Sequence, residues 1–162
     1  MWKLAEVSLR PETPEDGSFV EELIFAVREG EPGFRDLPVD ERTPLLKEQA
    51  RLQSADYRRK FPHAHYLIIV ASGHPVGRFY IDHTPDHLRI VDLSILPDYQ
   101  GHGIGHQLMK SVLAEGTRTS LPVRLSVMIG NPALDFYLKL GFVTIDKLES
   151  HLRMEWVSKA PA

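Results

Sequence analysis

Cysteine does not occur in this chain of 162 residues. Its absence excludes disulfides, thiolate metal sites and a covalent cysteine intermediate. No stretch approaches the ~18 consecutive apolar residues of a membrane-spanning helix. The first residues, MWKLAEVSLRPETPEDG, also lack the apolar core of a secretory signal. A soluble cytoplasmic protein with no membrane partner is therefore the expectation. Basic residues form no run or stripe, and 19 Lys and Arg stand against 22 Asp and Glu for a net charge of −3. Nucleic acid is accordingly not indicated as a partner. With 43% hydrophobic content and no visible repeat, the chain reads as one domain over residues 1–157, followed by a loose tail at 158–162.

Apolar periodicity and turn residues divide the chain into alternating elements. Leu4 to Arg10 alternates as a first strand, and Thr13-Pro14-Glu15-Asp16 carries capping and acidic residues suited to a helix running to Glu29. Gly30 to Thr43, with Pro32, Gly33 and Pro38, reads as a loop, and Pro44 to Lys60 as a second helix ending before Phe61-Pro62. Tyr66 to Ala71 and Val76 to Thr84 read as strands joined by Ser72-Gly73-His74-Pro75. His87 to Leu96 returns after a turn at Pro85-Asp86. Further on come strands at Val123 to Val127, Phe142 to Leu148 and His151 to Val157, so the chain offers an antiparallel meander and later helices.

The most informative stretch runs from Leu88 to Leu113. An apolar strand enters a glycine-rich turn, and an amphipathic helix follows, with Ile104, Leu108 and Val112 every four residues. Gly101, Gly103 and Gly105 remove every other side chain, so backbone N–H groups can close around a phosphate at the helix N-terminus. A diphosphate-bearing ligand fits this layout. The dinucleotide fingerprint G-x-G-x-x-G fails, because the required last positions hold His106 and Leu108. A triphosphate loop fails for want of a lysine at the required spacing. His102 and His106 are four apart, but a zinc-protease helix would need Glu where Gly103 stands, so no metal is expected.

What the residues match is Gln-x-x-Gly-x-Gly, Gln100 to Gly105, after a strand ending in Leu-Pro. It resembles the coenzyme A pyrophosphate loop of the GCN5-related N-acetyltransferase (GNAT) family. A second segment, Asn131 to Phe142 (NPALDFYLKLGF), is similar to the family's N-x-A-x-x-x-Y-x-x-x-G-F pattern. Its shape is independently legible: Asn131 suits an N-cap, Pro132 a first helical turn and Gly141 a C-terminal stop.

The resemblance implies an α/β (α+β) fold, the acyl-CoA N-acyltransferase fold. Such a fold has a mixed, mostly antiparallel sheet of about seven strands flanked by about four helices, in the order β-α-α-β-β-β-α-β-α-β-β. It implies acetyl-CoA as co-substrate and direct acetyl transfer to a primary amine in a ternary complex. The same resemblance places the pantetheine arm against the backbone of Ile95 and Leu96, and the diphosphate on Gln100, Gly101, Gly103, Ile104 and Gly105. His106 would offer a ring N–H to a phosphate oxygen, with His102 and Lys139 near the adenosine phosphates. Asn131 is either a simple cap or also a pantetheine contact.

Tyr137 is the implied general acid, its phenol protonating the departing thiolate, although the residue also fits a packed aromatic like Phe136. Asp92 interrupts an apolar run (Ile90, Val91, Leu93, Ile95), where a lone charge would be costly. It is either a general base or, if the hairpin turn centres on Pro85, the cross-strand ion-pair partner of Arg78.

Gln49, Gln53 and Tyr57 recur every four residues on one face of the second helix, extended by Leu45 and Phe61. They either line the acceptor site with Arg78, as in a subgroup of small bacterial family members, or form a solvated face. Glu21, Glu22, Glu29 and Glu31 make the preceding region acidic, which suits a cationic amine or simply a soluble helix. The acceptor, a small-molecule amine or a peptide amine, is not legible. Transfer of a longer acyl group and a non-catalytic acyl-CoA sensor remain alternatives, and a homodimer is compatible with the chain.

Overall fold

A computed structural model describes residues 6–29 and 33–159. Leu4 in the expected first strand, Glu31 and its neighbours at 30 and 32, and tail residues 160–162 lie outside the described residues. The elements are β1 (Val7–Pro11), α1 (Gly17–Arg28), α2 (Val39–Lys60), β2 (His65–Ala71), β3 (His74–His83), β4 (Leu88–Ile95), α3 (Ile104–Thr119), β5 (Val123–Met128), α4 (Ala133–Leu140), β6 (Val143–Lys147) and β7 (His151–Trp156). The strands form one seven-stranded sheet in the order β1-β2-β3-β4-β5-β7-β6. β4 and β5 pair in parallel, whereas β1 with β2, β5 with β7 and β6 with β7 pair antiparallel. The chain divides into two compact units, Met1–Tyr80 with Asp92–Gly105, and Ile81–Val91 with His106–Ala162.

In the first unit, α1 buries Val20, Leu23 and Ile24, the three- and four-residue spacing that makes one helix face. Val20 and Ile24 pack with Ala50 of α2 and Ile68 of β2, each large side chain contributing about 1.5–3 kcal/mol of burial. A short 3-10 turn, Pro14–Asp16, precedes α1. There Asp16 takes two hydrogen bonds from Arg10 of β1, both 2.8 Å, and one from the Thr13 backbone N–H. The forked guanidinium, together with that N–H, holds the Asp16 carboxyl down at about 2.

Two expected boundaries are corrected. The second helix begins at Val39, inside the stretch read as loop, and Pro44 lies within it. The Pro38 carbonyl accepts the N–H groups of Glu41 and Arg42 (3.0 and 2.9 Å), which starts the helix before Pro44 is reached. Likewise the β2–β3 connection is Ser72-Gly73 alone. Both have positive φ (50° and 81°), the two-residue hairpin turn that matches strand twist, so His74 and Pro75 already belong to β3.

In the second unit, β5 alternates buried Val123, Leu125 and Val127 with more exposed residues, opposite Trp156, Met154 and Leu152 of β7. Gly116 of α3 lets that helix come close, since a Cβ there would stand 2.9 Å from the Leu121 carbonyl oxygen and 3.2 Å from both Val123 and Trp156. Edge strand β6 is exposed throughout, and its pairing to β7 is irregular between Thr144 and Asp146. No helix among the described residues is long and apolar enough to cross a membrane.

Candidate active site

The glycine turn follows β4 in the first unit. Gly101 and Gly103 have φ of 76° and 85°, a region that side chains with a Cβ rarely adopt. A Cβ on Gly101 would meet open space, so its absence leaves the backbone approachable from outside. Gln100 donates from Nε2 to the Ile95 carbonyl (2.9 Å), tying the turn back to the end of β4. The Leu96 N–H donates to the Val76 carbonyl (2.8 Å).

α3 starts at Ile104, itself only 1% exposed, so Gly105 lies within the first helical turn rather than before it. Free backbone N–H groups at that helix start carry partial positive charge. His102 and His106 are exposed, and no group of three or more His, Asp or Glu among the described residues is arranged to hold a metal ion. The parallel ladder of β4 with β5 has its rungs at Leu88–Val123 and Arg89–Arg124, while β4 itself continues to Ile95.

In the same unit lies a polar network. Asp92 accepts hydrogen bonds from the Tyr57 hydroxyl (2.7 Å), the Arg78 guanidinium (2.8 Å) and the Ser94 hydroxyl (2.6 Å). The same Arg78 nitrogen donates to the Gln53 side-chain oxygen at 2.6 Å. Arg78 is 2% exposed and Asp92 10%. Burial opposes the Arg78 charge, but Asp92, Tyr80 and Tyr57 together outweigh it and the pKa lies above its ordinary value. Burial, then the charge of Asp92, pushes the Tyr57 phenol well above the usual range, so it stays a donor.

Tyr80 donates to Glu12, and Arg58 reaches the other Glu12 oxygen at 2.8 Å. On the α2 face, Gln53 and Tyr57 are bonded to the sheet residues Arg78 and Asp92. Gln49 turns its side-chain oxygen into the interior, where it has no hydrogen-bond partner among the described residues. Of the two readings of Asp92, the geometry is that of the ion pair with Arg78. Direct contact of Arg78 with an acceptor would need surface that this residue lacks.

Tyr137 belongs to the second unit. It is 8% exposed, in edge-to-face contact with Phe136 (5.3 Å between ring centroids) and Phe142 (5.8 Å). Gly141, at φ 104°, ends α4 by returning its N–H to the Leu138 carbonyl (3.1 Å). The Asn131 side-chain oxygen accepts the Ala133 N–H (2.9 Å), so Asn131 caps α4 across Pro132. Lys139 is exposed.

A model of the acetyltransferase (GNAT) family matches residues 32–142, well over half of the chain. The protein belongs to that family. A curated relative in Bacillus subtilis, a candidate ribosomal protein bS18-alanine N-acetyltransferase, is 35% identical over 85 residues, which are 49% of this chain and 54% of the relative. The chain thus matches about half the length of that relative. Among solved structures, the PaiA N-acetyltransferase of Thermoplasma acidophilum, in complex with coenzyme A, aligns with a TM-score of 0.71 at 18% identity over 94% of this chain and 99% of that one. An acetyltransferase of Thermus thermophilus aligns at 0.65 with 21% identity, covering 96% and 97%. At those identities the likeness is one of fold, and it is the GNAT fold that the loop and the α4 segment imply.

Five participants escaped sequence reading, Glu12 and Arg58 among them. Ser94 and Tyr80 each stand two residues from a network member on the same strand, and the period of two that puts them on its face was available. Gly77 was also available as a lone glycine inside a strand, a mark of close backbone approach. A Cβ on it would lie 2.3 Å from the Ser94 carbonyl oxygen.

Proposed function

We propose that this GNAT protein transfers the acetyl group of acetyl-CoA to a primary amine. The observation that carries the reading is the turn of Gly101 and Gly103, in left-handed backbone, opening onto the N-terminus of α3. Such a start offers unpaired N–H donors and a favourable dipole to a diphosphate. Gln100, Ile104 and Gly105 complete the cradle, and His102, His106 and Lys139 are the candidate donors to the phosphates and the adenosine end. Ile95 and Leu96 carry the backbone along which the pantetheine lies. Asn131 acts through the cap it forms, holding the helix of Tyr137.

In the reaction the amine lone pair attacks the thioester carbonyl, the C–S bond breaks with its electron pair on sulfur, and the thiolate takes a proton from the Tyr137 phenol, which solvent then restores. The amine loses its extra proton to solvent. Asp92 is not the base in this reading, because its two oxygens already accept three hydrogen bonds, one from a guanidinium. Gln53 and Tyr57, fixed by Arg78 and Asp92, form the wall of the acceptor site, with Gln49 one turn away. The name of the Bacillus relative brings a peptide N-terminal amine into the acceptor class beside small-molecule amines. Cytoplasmic location belongs to the same proposal.

The test is a thiol-release assay of the full chain with acetyl-CoA and a panel of small amines and peptide N-termini, beside calorimetric titration of acetyl-CoA. Amine-dependent release is expected, and Gly103→Val should abolish acetyl-CoA binding while the far-ultraviolet circular dichroism is kept. Tight acetyl-CoA binding with no release for any amine would make the chain a sensor. Unchanged binding in folded Gly103→Val would remove the cradle.

A further inference from the structure

Outside this site, in the second unit, three guanidiniums gather on one sheet face. Arg89 of β4, Arg124 of β5 and Arg153 of β7 line a cavity of about 180 Å3 together with His87. The strand register brings them there. Arg89 and Arg124 are paired in the parallel ladder, and Ser126, on the same face of β5 as Arg124, lies opposite Arg153. Arg89 donates to the Ser126 hydroxyl at 3.1 Å.

Like charges side by side on neighbouring strands destabilise a sheet unless something offsets them. Two carboxylates do so in part: Glu155 at 2.8 Å from Arg124 and Asp146 at 3.7 Å from Arg153. Neither lines the cavity, whose remaining walls are the apolar Leu125, Ile145 and Met154.

His87 registers the field. Burial, then Arg124 and Arg89, hold its imidazole below the usual histidine range, against the opposing pull of Asp86 and Asp82. In a chain of net charge −3 this is a local reversal of sign that the proposed acetyl transfer does not use.

We propose that this cavity is a binding site for a small multivalent oxyanion, a phosphate or a di- or tricarboxylate, gripped by Arg89, Arg124 and Arg153. Guanidiniums fork onto such groups in pairs of charge-assisted hydrogen bonds. At ~30 Å3 per water the cavity holds about six waters' worth of space, enough for an anion of this size.

The experiment titrates the full chain with inorganic phosphate in one arm and citrate in the other, with sodium chloride at matched ionic strength as reference. The imidazole resonances of His87, identified through His87→Asn, are followed by NMR. Saturable shifts with at least one of the two anions below about 10 mM are expected, with the His87 midpoint moving to higher pH as the positive field is offset. The preferred anion separates phosphoryl from carboxylate ligands. Arg89→Gln and Arg124→Gln should each weaken binding about tenfold or more, the loss of one charge-assisted contact. Gly103→Val should leave the His87 response intact, which separates this site from the glycine turn. Should either of the first two variants fail to fold, Arg153→Gln, on a half-exposed residue, carries the same expectation. No saturable response at His87 to either anion, equal affinity in the folded arginine variants, or loss of the response in folded Gly103→Val would each overturn the assignment.

Discussion

Removing the charge of Asp92 should destabilise this protein more than most single substitutions. In Asp92→Asn the Arg78 guanidinium, 2% exposed, loses its counter-charge at a site shielded from bulk solvent. Breaking a buried pair from one side costs about 3–5 kcal/mol, and the amide retains some of the hydrogen bonds, so about 3 kcal/mol is expected. Asp92→Ala adds the lost acceptor of the Tyr57 and Ser94 hydroxyls, about 1 kcal/mol each, and lies nearer 5. Against a typical domain stability of about 5–15 kcal/mol, that is a large fraction. Arg78→Met paired with Asp92→Leu removes both charges and should cost less than either single change added to the other, leaving a coupling of about 2–3 kcal/mol. Urea unfolding of the parent, Arg78→Met, Asp92→Leu and the double variant, extrapolated to water, measures the cycle. Single changes costing under about 1 kcal/mol, or strict additivity, would refute the idea that the pair is buried and coupled.

Tyr137→Phe keeps the ring between Phe136 and Phe142 and should lower the single-turnover rate about 10²- to 10⁴-fold with little change in acetyl-CoA affinity; a rate and high-pH limb equal to the parent's would make Tyr137 a packing residue. Gly77→Ala must push the Ser94 carbonyl away from a Cβ 2.3 Å distant, for roughly 2 kcal/mol and a melting point lowered by about 4–8 °C. An unchanged melting point would show that β4 yields freely there. The depressed Asp16 carboxyl contributes stability that is full above its unfolded pKa near 4 and is lost as pH falls through about 2. Because Arg10 is 42% exposed, solvent screening reduces this to about 1 kcal/mol. The unfolding free energies of the parent and Asp16→Asn should therefore converge between pH 6 and pH 2.5, and a constant gap would contradict the linkage.

The parts of this protein legible in sequence are those whose signals are local. Gly101 to Gly105 and the α3 repeat announce a glycine turn and the helix it opens onto, and Asn131, Pro132 and Gly141 bound α4 by their own backbone preferences. The start of α2 was missed because Pro44 is the louder boundary mark, although Asp40 and Glu41 stand in the first turn, where the helix dipole favours them. Counting outward from Pro85 finds Arg78 opposite Asp92, so that pair was half legible. Its ties to Tyr57 and Gln53 cross 35 and 25 residues of chain, and no local period records such a distance. The arginine face was hidden for the same reason, since only the pairing of β4 with β5 sets Arg89 beside Arg124.

α2 is held unequally along its length. Near its C-terminal end the Tyr66 hydroxyl lies 3.0 Å from the Tyr57 carbonyl and 2.7 Å from that of Phe61, and Arg58 rests over the Tyr66 ring at 3.6 Å. Farther back, Pro44 has no N–H for the Asp40 carbonyl, and Val39 and Leu45 are 62% and 41% exposed. Amide protons should thus exchange along a gradient, quickly in the first two turns and slowly from Leu46 onward. One end of the helix can change its sequence, or breathe, without disturbing the charges at the other.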